Sequence, residues 1–252
     1  MFGPVSEWAL REFCKAKGLA FDMTVTPAIA AALQDNAITS LFPLNPTNNL
    51  AGKIVSAMQR NKYWICRHPK CFNIVYVEGM NANGTSNDNA PNRFNDLRLL
   101  LQVQESGTCK IVGSWEGTTE PGKHWTDHPM DPKGAARIAF GQYKSWSLGT
   151  HHPGRPSAHE ALVQVADIVV YRDSQKHFKR EGPQFTGIFA INQHWGYDAP
   201  KNDLGTTSAG CLVGRAKDGH REFMKAVKSD PRFKPNKGYR FMTAVFPASE
   251  IR

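Results

Sequence analysis

The chain has no run approaching the ~20 apolar residues that a membrane-spanning helix needs, so a helical membrane protein is excluded as a first reading. Its first residues, Met1-Phe2-Gly3-Pro4-Val5-Ser6-Glu7, have neither a basic segment nor an apolar core, and no secretory signal peptide is expected within it. Internal repeats and low-complexity tracts are missing too. Cysteine is scarce and odd in number, with Cys14, Cys66, Cys71, Cys109 and Cys211. At least one thiol therefore stays unpaired unless it bonds to another chain. The spacing Cys66-Arg-His-Pro-Lys-Cys71 suits a disulfide or half a zinc site. No second Cys or His pair stands at a matching distance, so reduced thiols are the preferred reading.

What is present is an ordinary globular composition, 40% hydrophobic and 21% charged, with a formal charge of +9. A basic excess favours polyanionic partners. The cations form no arm or basic helix, and no nucleic-acid module is recognisable. A diffuse acidic surface fits this better than a nucleic-acid groove. The 252 residues suffice for one large domain, or for a small module with a catalytic-size domain.

Two short helices are predicted first. One spans about Ser6 to Ala16, with Leu10, Phe13 and Cys14 on one face and Gly18 as its stop. The other has Thr26 as N-cap, Pro27 at its first position and Ala28 to Leu33 as its body. Residues 37–60 read as an Asn/Pro-rich linker with a short helix ending near Arg60. The rest reads as strands: Asn73 to Glu78, a hairpin of Leu97–Gln104 and Cys109–Trp115, then Val163–Tyr171, Thr186–Asn192 and Tyr239–Phe246. The Met80–Asn95 tract, with six Asn, is expected to be an exposed loop. A helix is predicted from His220 to Lys228, with His220 as a solvated first-turn residue. The fold class is α+β, mainly β.

One stretch carries chemistry. An apolar run ends in His194-Trp195-Gly196, a loop of Pro, Asn, Asp and Gly follows, and Ser208-Ala209-Gly210-Cys211 closes it. A cysteine attacks as its thiolate, which needs an imidazole or backbone dipoles nearby. Gly210 allows close backbone approach, and amides around Cys211 can hold an oxyanion. Histidine is the side chain matched to proton transfer near neutral pH.

This region resembles the L,D-transpeptidase (YkuD-type) catalytic family, whose signature is His-x-Gly, a gap of about a dozen residues, then Ser-His-Gly-Cys. The resemblance extends to the 97–115 hairpin and the loop Gly117-Thr-Thr-Glu-Pro-Gly122, and its specificity lies in residues 187–215. It implies a β-sandwich catalytic domain over 61–252 and an acyl-enzyme mechanism without cofactor or metal. Peptidoglycan is the implied partner, through stem peptides containing meso-diaminopimelate. Cys211 is the implied nucleophile, Ser208 and Gly210 shape the loop and oxyanion hole, and His194 lines the cleft. Trp195, Gly196 and Arg215 are the candidate substrate-binding residues, Arg215 for a carboxylate. Residues 1–36 resemble part of a peptidoglycan-binding helical module, through Phe2-Gly3-Pro4-Val5-Ser6, Ala9-Leu10, Phe13, Gly18-Leu19 and Asp22.

The sequence departs from the family where its usual base stands: that position is Ala209 here. His194 is the expected substitute, with His220 second and an inactive site third. Three other readings stay open. A zinc peptidase is suggested by Ser157-Ala-His159 with Asp167, and by His124 and His128, although Pro121 and Pro129 argue against a helix there. A wall-binding or virion structural protein with a relic site is the second. A nucleic-acid binder, supported by charge alone, is the third. A wall enzyme without a signal peptide would suit a phage lysin acting at the cell wall, or a trimmed bacterial protein.

Overall fold

The computed structural model describes residues 2–35 and 41–252. Met1 and Asn36 of the expected N-terminal module, and residues 37–40 of the expected linker, lie outside them. The class is α+β, mainly β.

Helix α1 (Pro4–Lys17) starts two residues earlier than predicted, because Pro4 takes the first helical position after Gly3. Gly18, at φ 66°, ends it, and Leu19 N–H donates to Cys14 O (2.8 Å). Helix α2 (Pro27–Gln34) begins where the Thr26 hydroxyl accepts from Ile29 N–H. Phe13, Cys14 and Ile29 form a small buried cluster of their own, with Leu19, Phe21 and Leu33 against it.

Helix α3 (Leu50–Arg60) is capped by Asn49, whose side chain accepts from Gly52 N–H (2.9 Å). This is the short helix expected to end near Arg60 within the predicted linker. Ala51, Ile54, Val55 and Met58 are buried in the main core, so the packed unit already includes residue 50. Burying each of the larger apolar side chains contributes roughly 1.5–3 kcal/mol, which a free linker would forgo.

Eight of the eleven strands close into a barrel in the order β1, β11, β5, β6, β9, β10, β3, β2. They are β1 (Asn73–Glu78), β2 (Asp96–Val103), β3 (Cys109–Thr118), β5 (Gly141–His151), β6 (His159–Gln164), β9 (Gln193–Trp195), β10 (Leu212–Gly214) and β11 (Phe241–Pro247). The pairs β1/β11 and β9/β10 are parallel and the rest antiparallel. The other three, β4 (Ala135–Ile138), β7 (Ile168–Asp173) and β8 (Gln184–Gly187), form a separate antiparallel sheet. The expected β-sandwich is therefore replaced by a closed barrel with a small companion sheet. The parallel β1/β11 and β9/β10 pairings join strands far apart in sequence, and closure removes the free edges a sandwich keeps.

Strand β1 explains why the core has two layers. All six of its residues are buried, and side chains alternate across the strand. Ile74 and Tyr76 enter one cluster, with Leu100, Trp146, Leu162 and Leu212. Val75 and Val77 enter the other, with Leu97, Leu99, Leu101 and α3. Helix α5 (Lys217–Ser229) presents Phe223, Met224 and Val227 to the first cluster.

Two expected strands are altered. Val163–Tyr171 divides into β6 and β7, which belong to different sheets, at Val165–Asp167. Thr186–Asn192 is strand only at its start, within β8, and leaves strand geometry over 188–192, where Ala190 takes φ 57°. His220 is also corrected: α5 begins at Lys217, and His220 is buried in its first turns rather than solvated. A five-residue helix, α4 (Lys123–Asp127), forms despite Pro121 and Pro129.

Candidate active site

The loop between Leu204 and β10 carries Cys211 to the mouth of a cavity of about 320 Å³. Its lining includes Trp125, His151, His152, Arg172, Asn192 and Cys211. The turn is built by Ser208 and Gly210. Ser208 is fully buried; its hydroxyl donates to Cys211 O (3.0 Å) and accepts from Gly210 N–H (3.1 Å). Gly210 sits at φ 126°, and a Cβ there would stand 2.4 Å from Ala136 O, so only glycine fits. Asn92 fastens the turn from the Asn-rich loop: its carbonyl accepts from Leu204 N–H and its side chain reaches Asp203 and Lys123 N–H.

The Cys211 thiol has two polar contacts. Asn192 N–H donates to Sγ (3.4 Å), and Sγ–H donates to Ala190 O (3.6 Å). Burial pushes the thiol up to about 11, against a weaker downward pull from the Asn192 amide. Cys211 therefore rests as a thiol at neutral pH. The backbone N–H groups of Ala209 and Cys211 find no backbone acceptor among the described residues, so the turn that carries the sulfur holds two unengaged donors.

The histidines are placed differently from the sequence reading. His194 is buried and is not part of the cavity wall. Register explains this. His194 pairs with Val213, one step beyond Leu212↔Gln193, so its side chain lies about two residues along the strand from Cys211. Its Nδ1 meets Trp195 O (2.7 Å), and burial holds it well below the usual histidine range.

His151 and His152, at the end of β5, are the imidazoles that line the cavity with Cys211. His151 is sandwiched between His152 and His194, with centroids 3.8 and 3.9 Å away. Gln164 N–H donates to Asn192 Oδ1 (2.9 Å), which turns the Asn192 amide nitrogen toward His151 Nδ1 (3.1 Å). His151 Nδ1 thus accepts, and the neutral ring carries its proton on Nε2. Burial, then the charges of His152 and His159, push His151 down to about 3. His152 is exposed, at φ 52°, with Nδ1 3.3 Å from Ser157 Oγ.

The three expected substrate-binding residues lie outside this cavity. Arg215 Nε donates to Glu116 (2.8 Å), which Lys201 also engages. Trp195 stacks on His159 at 3.9 Å. Gly196 serves packing, since a Cβ would stand 2.8 Å from the Phe94 ring and from Arg215 O. Sequence reasoning missed His151, His152, Asn192 and Arg172. The pair His151-His152 was visible as sequence, but nothing local marked it as the end of an eleven-residue strand.

His220 also lies outside this cavity. Its Nε2 donates to Glu160 O (2.9 Å) and its Nδ1 faces the buried Arg98 guanidinium (3.1 Å). Burial and Arg98 push it down to about 3. The two zinc-peptidase motifs assemble no shared site, although His124 and His128 lie side by side at α4, ring centroids 5.5 Å apart. His159 Nδ1 bonds Ser157 O, and Asp167 offers its carbonyl to Ser145. Among the described residues no group of three or more His, Cys, Asp or Glu gathers in a way that could hold a metal.

Cys66 and Cys71 are free thiols in one loop, which the Asn73 side chain closes onto both backbone groups of Cys66. Hydrogen bonding to Cys71, with Arg232 nearby, pulls Cys66 down to about 6 while Cys71 is raised. Among the described residues no helix is long and apolar enough to cross a membrane. No protein-family model, no curated protein and no solved structure matches the chain.

Proposed function

We propose that the protein is a peptidoglycan-modifying cysteine enzyme that acts on stem peptides through an acyl-enzyme. The observation that carries this reading is the shared cavity of Cys211, His151 and His152, with the Ala209 and Cys211 amides unengaged in the turn that carries the sulfur.

In this reading Cys211 Sγ attacks the scissile amide carbonyl as its proton leaves for His152. The acceptor is His152 rather than His151 or His194. Charging His151 would put a second donor against the Asn192 amide and bury a cation between two imidazoles. His152 is exposed, and its Nδ1 contact with Ser157 leaves Nε2 free. The Ala209 and Cys211 amides receive the developing oxyanion. The C–N bond then breaks, the departing amine takes the proton from His152, and a thioester to Cys211 remains. Water or a second amine attacks the thioester carbonyl, releasing product and restoring the thiol. With a resting thiol near 11, substrate entry must drive the proton transfer, since no imidazole stabilises a thiolate beforehand.

The test is a digest of purified sacculi with wild type and Cys211→Ala, read by mass spectrometry of the muropeptides. Shortened or relinked stem peptides with wild type alone support the reading, and the product masses identify the acceptor. Equal action by both proteins removes Cys211 from the chemistry. Inaction by both favours a wall-binding protein with an inert thiol, the reading that Ala209 and the raised Cys211 thiol support.

A further inference from the structure

The cavity that holds Cys211 contains one fixed pair of opposite charges, Arg172 and Asp131. Arg172 stands on β7, the central strand of the small sheet, and Asp131 lies in the loop before β4, the neighbouring strand. The Arg172 guanidinium is held from three directions. Nη2 meets Asp131 Oδ2 at 3.1 Å, Nη1 donates to Gly134 O at 3.2 Å, and the group lies 5.2 Å over the Phe189 ring. Arg172 is therefore pre-set at the cavity wall, and its side chain is 13% exposed against 35% for Asp131. No Lys or Glu lines this cavity, so these two residues, with the two histidines, are its titratable groups apart from the thiol.

We infer that Arg172 and Asp131 form a subsite for an α-amino-carboxylate, the zwitterionic group that ends a diamino-dicarboxylic acid side chain or forms a free amino acid. The inference rests on the reading of Cys211 as the acyl-transfer nucleophile on stem peptides. A zwitterion matches the pair charge for charge. Its carboxylate takes the Arg172 fork, which is shaped for bidentate contact, and its ammonium takes the Asp131 carboxylate. The internal ion pair is partly exposed and contributes little on its own, so opening it is cheap. A zwitterion makes two charge-assisted contacts with the pair, where a ligand with one charge makes only one in exchange for the contact it breaks. That difference is what makes the subsite selective for both charges together.

The full-length Cys211→Ala protein is the test material, with binding measured by calorimetry for three synthetic stem tetrapeptides. They differ only in the third residue: meso-diaminopimelate, 2-aminopimelate bearing the distal carboxylate alone, and lysine bearing the distal ammonium alone. The expected order places the diaminopimelate peptide tightest, by about tenfold or more over each single-charge peptide, the scale of one charge-assisted contact. Adding Arg172→Gln should erase its advantage over the lysine peptide. Adding Asp131→Asn should erase its advantage over the 2-aminopimelate peptide and keep most of the advantage over lysine. Competition by free D-alanine that disappears in Arg172→Gln would identify a free amino acid as the occupant of the same subsite. Tight binding with preferences unchanged in both folded variants overturns the subsite and leaves the acyl-transfer reading intact. Binding of none of the three peptides overturns the subsite and the stem-peptide reading together.

Discussion

His151 lies face to face on His194, ring centroids 3.9 Å apart and planes 10° apart, and this stack separates the buried histidine of the His-x-Gly motif from the cavity. The imidazole nearest in motif is thus structural, while the histidines that share a cavity with Cys211 come from a strand 60 residues earlier.

His152→Ala should lower turnover on stem peptides by about 10²–10⁴-fold, the usual contribution of a positioned base. It should leave the unfolding transition nearly unchanged, because His152 is exposed. His194→Ala should do the reverse first: it removes a buried ring that stacks on His151 and bonds Trp195 O, so the melting temperature should fall by several degrees. Thermal melts beside steady-state rates check both. A His152 variant with full activity would exclude it as the proton acceptor.

Alkylation by iodoacetamide, mapped by mass spectrometry across pH, should divide the thiols. Cys66, pulled down to about 6, should react at neutral pH. Cys211, pushed up to about 11, should react slowly until the pH approaches that value. Labelling of Cys211 at pH 7 as fast as Cys66 would reveal a resting thiolate and an imidazolium partner.

Gly210→Ala should cost about 1–3 kcal/mol of stability, since the new methyl meets the Ala136 carbonyl at 2.4 Å and the φ of 126° disfavours any L side chain. The turn that aims Cys211 should shift with it, so activity should fall together with the urea midpoint. Loss of neither would mean that the turn relaxes freely.

Acid should destabilise the fold through its buried histidines. His220 is pushed down to about 3 in the folded protein, while the unfolded chain titrates near 6.5. Above pH 6.5 both states are neutral and the group contributes no pH dependence. Between 6.5 and about 3 the unfolded state binds the extra proton, and stability falls by about 1.4 kcal/mol per pH unit for this one group. In His220→Gln the slope of stability against pH over that window should flatten by that amount, measured by urea unfolding at several pH values. An unchanged slope would place the acid sensitivity elsewhere.

Much of the local structure was legible in the chain. Pro27 after Thr26 placed α2, the apolar run Asn73–Glu78 placed β1, and Ser106-Gly107 placed the β2–β3 hairpin, because caps, turns and runs are set by neighbours in sequence. Ser208, Gly210 and Cys211 were legible as one turn for the same reason: Gly210 is required by its own backbone angle. The closed barrel was not legible, because it depends on β1 meeting β11 and β9 meeting β10, parallel pairings that no turn residue announces. Nor was the identity of the imidazoles beside Cys211. A strand-end histidine can face a cavity or a packed neighbour, and register decides which. Here the pairing of His194 with Val213 and the arrival of β5 beside them put His194 behind His151, and gave the cavity to His151, His152 and Arg172.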